Sequence, residues 1–301
     1  MYEADQSNIS GKLTRTLQKL NKRIAEAAER NKHKSELLAE SVCLDDVPLK
    51  NLDQIRFLPR QASAMPIPWT RTSLFSRLKK GRRRMLVNEV IESRKDYCVK
   101  VSGEQLDMYD NDAFLHIIQL AQGSCSGDLI YFERSKFLRA IGRGDDLSSE
   151  SYRRLEASMK RLASTTLFIE GVGEGKGFHL IDELIWGAGE RCCILMSPAI
   201  VSIFASEFLA YIDMDVRFRL KSPLAKYLQN YVCGHKVGPH AISCDSLRRW
   251  SGSTGRLRDF TSRALPAALG ELKAQALIKD WEIGPETVRW FRLPHAKSKK
   301  A

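Results

Sequence analysis

The residues best suited to chemistry lie toward the C-terminus, in the run STGRLRDFTSR at positions 253–263. Arginine can hold O6 and N7 of guanine with two parallel hydrogen bonds, and Ser or Thr hydroxyls can reach phosphates or base edges. Ser253, Thr254, Arg256, Arg258, Ser262 and Arg263 are therefore candidate nucleic-acid contacts. The alternative is a solvated helix face rich in arginine. Cys233, His235, His240 and Cys244 are ligand types that suit zinc, but C-x-H-x4-H-x3-C matches no common finger. Cysteines at a helix end are often simply buried, and no metal site is expected. The loop GVGEGKG (171–177) has Gly177 where a phosphate-binding loop needs a hydroxyl residue after Lys176. It also stands between two strands, so a hairpin with Lys176 near its tip, able to touch a phosphate, is expected. The histidines (His33, His116, His179, His235, His240, His295) include no H-x-H pair, which argues against a metal-dependent nicking enzyme. With no GxSxG, no HExxH and no carboxylates at metal spacing, the chain offers no catalytic constellation. Neither enzymatic activity nor a cofactor is expected.

The arginines need a helix to present them, and the surrounding pattern supplies one. Residues 222–234 predict a helix with Leu224, Leu228, Tyr231 and Val232 on one side. A short helix over 244–252, begun by Ser243 and ended by Gly252, is followed by a turn and a longer helix over 257–277. Pro266 should kink that helix. The strands IKDWEI and TVRWFRL close the unit. The same order occurs earlier, at 110–122 (helix, capped by Asp110), 128–133 (strand), 135–142 (short helix) and 148–164 (longer helix, capped by Ser148 or Ser149). The strands TTLFIE and FHLIDEL follow, joined by the glycine loop. Positions matching the second-unit reader are Ser151, Arg153, Arg154, Lys160 and Arg161. Helix, strand, short helix, turn, longer helix and hairpin is the order of a winged helix-turn-helix, whose second helix enters the major groove. Its duplication is the most informative internal feature.

Charge is divided unevenly. Residues 219–301 carry 16 basic and 6 acidic side chains, whereas 85–218 carry 14 and 21. Between 77 and 84 the run RLKKGRRR holds six positive charges, and Arg82, Arg83 and Arg84 join the candidate DNA contacts. The net +12 thus favours a polyanionic partner engaged chiefly by the last third of the chain. Upstream, 12–40 predicts an amphipathic helix through Leu13, Leu17, Leu20, Ile24 and Ala27, and 45–69, with Pro48, Pro59, Pro66 and Pro68, reads as a linker. The expected fold class is α+β. A helical or flexible arm with linker and basic strap (1–84) precedes two tandem winged helix-turn-helix domains, 85–212 and 213–301, the second being the main DNA-binding one. No apolar run approaches the ~20 residues of a membrane helix. An odd set of seven cysteines without a CxxC pair fits free thiols in a reducing cytoplasm.

In the order and spacing of several blocks the chain resembles the TrfA-type plasmid replication initiators. These are AMP and SLF (64–66, 73–75), SYRRLEASMKRLASTTLFI, RCCILMSPAIVSIFA (191–205), RFRLKSPLAKYLQNYVCGH (217–235) and SGSTGRLRDF with ALGELKAQALIKDW. The similarity spans about 64–292. It implies tandem winged helices that bind repeated double-stranded DNA sites (iterons) at an origin and help to open the duplex. It also implies recruitment of host DnaA, the replicative helicase and the sliding clamp, and a monomer–dimer equilibrium with a homodimer. By analogy Arg256, Arg258, Ser262 and Arg263 are the main major-groove readers. The family's clamp-binding peptide is Gln-Leu-Ser-Leu-Phe-like. The nearest segment here is Gln54-Ile55-Arg56-Phe57-Leu58, with Phe and Leu in reversed order. A second reading is a winged-helix transcriptional repressor, autoregulatory or otherwise. It would bind an inverted repeat as a stable dimer, where an initiator binds direct repeats.

Overall fold

In the computed structural model the described residues are 53–59, 61–78, 83–93, 97–171, 175–187 and 191–294. The helix expected over 12–40 and the strap residue Arg82 lie outside them. Strand β1 (Ala62–Pro66) leads through a 3-10 turn at Ile67–Arg71 to β2 (Phe75–Ser76). Then come β3 (Met85–Ser93), β4 (Tyr97–Glu104), β5 (Leu106–Asp107), α1 (Met108–Leu120), β6 (Leu129–Glu133) and α2 (Arg134–Leu138). Helix α3 (Ser149–Ser164) is followed by β7 (Thr166–Gly171), β8 (Gly175–His179), β9 (Ile181–Trp186), β10 (Arg191–Met196) and α4 (Pro198–Ala205). Strand β11 (Leu209–Asp213) and α5 (Met214–Arg219) lead into α6 (Pro223–Cys233), β12 (Gly238–Ser243) and α7 (Cys244–Trp250). The last elements are α8 (Leu257–Asp259), α9 (Leu265–Ala274), β13 (Ile278–Ile283) and β14 (Thr287–Arg292).

The duplication read from the sequence is present in the topology. The first unit runs α1, β6, α2, α3, β9, β10 with sheet order β6-β10-β9; the second runs α6, β12, α7, α8–α9, β13, β14 with sheet order β12-β14-β13. In both, the third strand lies between the first and second. Short polar side chains start the helices. Ser148 accepts from Ser151 N, Ser222 from Ala225 N with Pro223 in the first turn, and Ser243 from Ser246 N.

Three expectations need correction. Asp107, not Asp110, caps α1; Asp110 is its capping-box partner, accepting from the Asp107 backbone. FHLIDEL is not one strand. Leu180 and Ile181 are buried in succession, which breaks the alternation of a strand with one solvated face. There the chain passes from β8, in a four-stranded sheet of order β3-β4-β7-β8, to β9 in the first unit's sheet. The hairpin that closes the first unit is therefore β9–β10, and the described ends of the glycine run, Gly171 and Gly175–Gly177, lie in the other sheet. Finally, the described part of 45–69 is no linker. Every residue of β1 is buried, Trp69 stacks near Phe114 and Phe204, and β1 pairs antiparallel with β11. Its Ala-Ser-Ala sequence shows no apolar alternation because small residues are needed beneath α1, where Ser63 Oγ donates to the Leu115 carbonyl at 2.6 Å.

The two units meet at one polar cage. Arg217 on α5 is fully buried and donates from Nε to Asp112 Oδ1 (2.7 Å), from Nη2 to Asn111 Oδ1 (2.5 Å), and from Nη1 to the Lys226 carbonyl (2.6 Å) and Asn230 Oδ1 (3.1 Å). Lys226 Nζ also pairs with Asp112. Nearby, Gly142 has φ +74°, and a Cβ there would lie 3.1 Å from the Phe218 ring, so the end of the first unit's short helix presses on α5. Replacing Arg217 with Met should cost roughly 3–5 kcal/mol, because Asn230 Oδ1 and Asp112 Oδ1 would be left buried without this donor, while Asn111 Oδ1 would keep only Asn230 Nδ2. Urea unfolding of the variant against the parent measures this.

Candidate nucleic-acid interface

The segment expected to read bases begins in a braced turn. On α7, Asp245 draws in Arg248 at 2.8 Å and Arg249 at 3.1 Å, which holds the carboxyl below the usual carboxylate range. Ser253 N donates to the Arg248 carbonyl at 3.0 Å, and Ser253 Oγ lies 2.9 Å from Ser251 Oγ. Arg248 Nη1 reaches the Gly255 carbonyl at 3.2 Å, so both ends of the turn are tied to α7. Helix α8 starts after Arg256, and Phe260, Leu265, Ala268, Leu269 and Leu272 bury the inner side.

Pro266 follows directly on an interruption of the regular α-helical hydrogen bonding. Just before it, Phe260–Ala264 form a π-turn in which Leu265 N donates to the Phe260 carbonyl. The wider turn accommodates a residue that lacks an N–H and would crowd an α-helical carbonyl. Outward, Arg256, Arg258, Asp259, Ser262 and Arg263 line one open depression. Arg256, Arg258 and Arg263 are exposed and have no acidic partner within ion-pair distance among the described residues. Ser253 and Thr254 are placed apart from this set, in a neighbouring cleft together with Arg84.

The corresponding residues of the first unit are already engaged. Arg153 pairs with Glu150 at 3.0 Å, and Lys160 pairs with Glu156 at 2.6 Å while lying 5.0 Å from the Trp186 ring centroid. Arg154 stacks 4.2 Å from the centre of the Tyr109 ring. Arg161 does not face solvent as expected: with 11% of its side chain exposed, it clamps Asp110 at 2.7 Å, beside the Ser158 hydroxyl. Burial pushes the Asp110 carboxyl up, but the hydrogen bond and charge of Arg161 outweigh it and hold the group below its ordinary range. Arg83 joins the same cluster, donating to Asp107 at 2.5 Å and Asp110 at 2.9 Å, with Glu104 at 3.7 Å. Arg84 pairs with Glu89 at 2.8 Å and remains largely exposed. Lys176 is exposed on β8, paired in register with Ile169, and so belongs to the four-stranded sheet instead of the hairpin that closes the first unit. The structure adds Arg77 and Gln105 to the cleft residues; Arg77 opens the charged run, and that run was the available signal.

The Cys/His set does not converge on one point. Among the described residues no three His, Cys, Asp or Glu side chains are grouped to hold a metal ion. His235 instead donates from Nδ1 to the Tyr231 carbonyl at 2.7 Å and accepts from Arg71 Nη2 at 2.9 Å, with its ring 4.1 Å from that of His240. Cys233 and Cys244 are buried, and burial drives the Cys233 thiol up to about 12. The segment 54–58 is likewise built into the fold. Ile55 is buried and exchanges backbone hydrogen bonds with Ser124 and Gly123, while Phe57 is 77% exposed.

A family model described as Replication initiator protein A matches residues 70–266. Among solved structures the chain is similar to "Crystal structure of SeMet derivatives of domain2 and domain 3 of RctB", with TM-score 0.52 and 9% identity, covering 76% of this chain and 98% of that one. It also matches "Crystal structure of the RctB domains 2-3, RctB-155-483" (TM-score 0.48, 9% identity, 73% and 95% covered). At this identity the likeness concerns the fold. No curated protein matches the chain.

Burial lowers the pKa of His235 to about 4, with further lowering from His240 and Arg71. Below its unfolded value of about 6.5, the unfolded chain takes up a proton that the folded chain refuses. Stability should therefore fall as pH drops from about 6.5 toward 4 and stop changing on this account below that. Urea unfolding across this range, with His235→Gln showing a shallower dependence, checks it.

Proposed function

Given that the chain belongs to the replication initiator protein A family, a replication initiator family that its model matches over residues 70–266, we propose that it binds repeated double-stranded DNA sites at a plasmid origin. In this reading each duplicated unit is a winged helix-turn-helix, and the two occupy successive major grooves of a site about two turns long. The helix from Arg256 onward is the principal reader. The observation that carries the proposal is the contrast between the two equivalent helices. Arg256, Arg258 and Arg263 have no acidic partner among the described residues and share one open face, whereas in the first unit Arg161 is buried on Asp110, Arg154 lies on the Tyr109 ring, and Arg153 and Lys160 stand beside glutamates of their own helix. Guanidinium groups without a protein partner are those that can form bidentate bonds to guanine, and they supply the phosphate attraction that drives DNA affinity. The family supports the role in initiation. Local duplex opening, recruitment of DnaA, the replicative helicase and the sliding clamp, and control by a homodimer complete the proposed cycle, which runs in the cytoplasm without an enzymatic step by this chain.

Selection of bound DNA from a random or plasmid-derived pool tests this reading. Direct repeats beside an AT-rich stretch are the expected outcome. A single inverted repeat held by a stable dimer would instead favour an operator-binding repressor. In the same assay, Arg256→Ala with Arg258→Ala should remove roughly 2–6 kcal/mol of discrimination between the selected site and a scrambled duplex, at ~1–3 kcal/mol per bidentate pair. The melting temperature should remain that of the parent, because both side chains are exposed.

A further inference from the structure

Beside the reader helix lies a cleft that base reading does not explain. Its walls include Arg77, Arg84 and Gln105 on one side and Ser253, Thr254 and Asp259 on the other. The walls are fixed to each other. Arg77 N donates to the Ser251 carbonyl at 2.8 Å, and Gly252, at φ +68°, sits so close to Ser76 that a Cβ would lie 2.4 Å from its hydroxyl. Gln105 N donates to the Arg84 carbonyl at 2.9 Å, which fixes the far wall. The cleft therefore joins the two ends of the basic run, Arg77 and Arg84, to the turn that precedes α8.

Its chemistry favours an anion. Arg77 has no acidic partner among the described residues. The pair of Arg84 with Glu89 is exposed at both ends, so a stronger anion can take over the guanidinium. The Ser253 and Thr254 hydroxyls add neutral donors. Among the described residues Asp259 is the only carboxylate in the lining, and it also borders the reader's depression, so the two adjoin at this residue. Geometry identifies the anion. An α-helix about 10–12 Å across fills a major groove about 12 Å wide, so the flanking phosphates lie against whatever adjoins the start of the helix.

We infer that this cleft grips a phosphodiester of the same duplex whose bases the α8 helix reads. Arg77 and Arg84 supply charge, and Ser253 and Thr254 supply hydrogen bonds. The inference rests on the proposed DNA-reading function and adds an anchor that fixes register without carrying sequence information. It also makes Arg77 and Arg84, the two ends of the basic run, and the second unit parts of one site.

The test measures affinity of the full chain for the selected duplex and for a scrambled duplex by fluorescence anisotropy between about 50 and 200 mM salt. Arg77→Gln with Arg84→Gln should weaken both complexes by the same factor and reduce the slope of log K against log salt by about 1–2, at ~0.9 for each phosphate no longer neutralised. Arg77→Lys with Arg84→Lys should restore the slope. An unchanged slope in the glutamine variant, with the parent's melting temperature, would overturn the cleft alone, as would reduced discrimination at the parent's slope. If inorganic phosphate binds the parent but not the glutamine variant while both bind DNA with the same affinity and slope, the cleft is a site for free phosphate compounds and the inference fails. A parent chain that does not distinguish the two duplexes would overturn the DNA-reading function itself, and the cleft with it.

Discussion

The buried guanidinium of Arg217 sets how the two duplicated units meet. Apolar contact is non-directional and tolerates sliding. Arg217 requires acceptors from α1 (Asn111 and Asp112) and from α6 (the Lys226 carbonyl and Asn230) at fixed angles. Removing a charge from water costs several kcal/mol unless such partners are in place, so only one arrangement of the helices is admissible. The adjacent Asp110 faces the other way and holds Arg83 and Arg161. One turn of α1 thus ties the segment entering β3, the first unit's long helix and the second unit together.

Much of this architecture is legible in the sequence, where local chemistry decides the structure. Ser148, Ser222 and Ser243 announce helix starts because their hydroxyls accept the orphan N–H groups of the first turn. The repeated order of elements follows from them. What escapes sequence reasoning is decided by distant parts of the chain. The β1 segment looks like a linker because the signal for a strand between two packed layers is smallness, and small residues are also common in loops. The junction at Leu180–Ile181 is hidden because two strands of different sheets abut without a turn residue. Strand β10, RCCILM, has a continuous apolar character that alone does not distinguish strand from helix. Arg161 and Arg217 carry the appearance of surface charge, and only the positions of Asp110 and Asp112 reveal them as interior residues.

The candidate interface shows the same division. The exposed set Arg256, Arg258, Ser262 and Arg263 lines one depression together with Asp259, although neighbours such as Ser262 and Arg263 stand about 100° apart on a regular helix. Ser253 and Thr254, adjacent in sequence, belong to a different surface because the turn is strapped to α7 and to Ser76. Charge totals alone mislead for the strap, since Arg83 is committed to carboxylates that stand more than twenty positions downstream.

The glutamates on α3 give the two units different solution chemistry. In water, a lysine or arginine that meets a phosphate frees a condensed cation from the DNA, and the entropy of that release drives binding. Arg153 and Lys160 already hold Glu150 and Glu156. A phosphate arriving there would have to displace a carboxylate tethered to the same helix, which would stay close by. In the proposed DNA complex the first unit's long helix would thus carry a built-in competitor that dilution cannot remove, one that Arg256, Arg258 and Arg263 lack among the described residues.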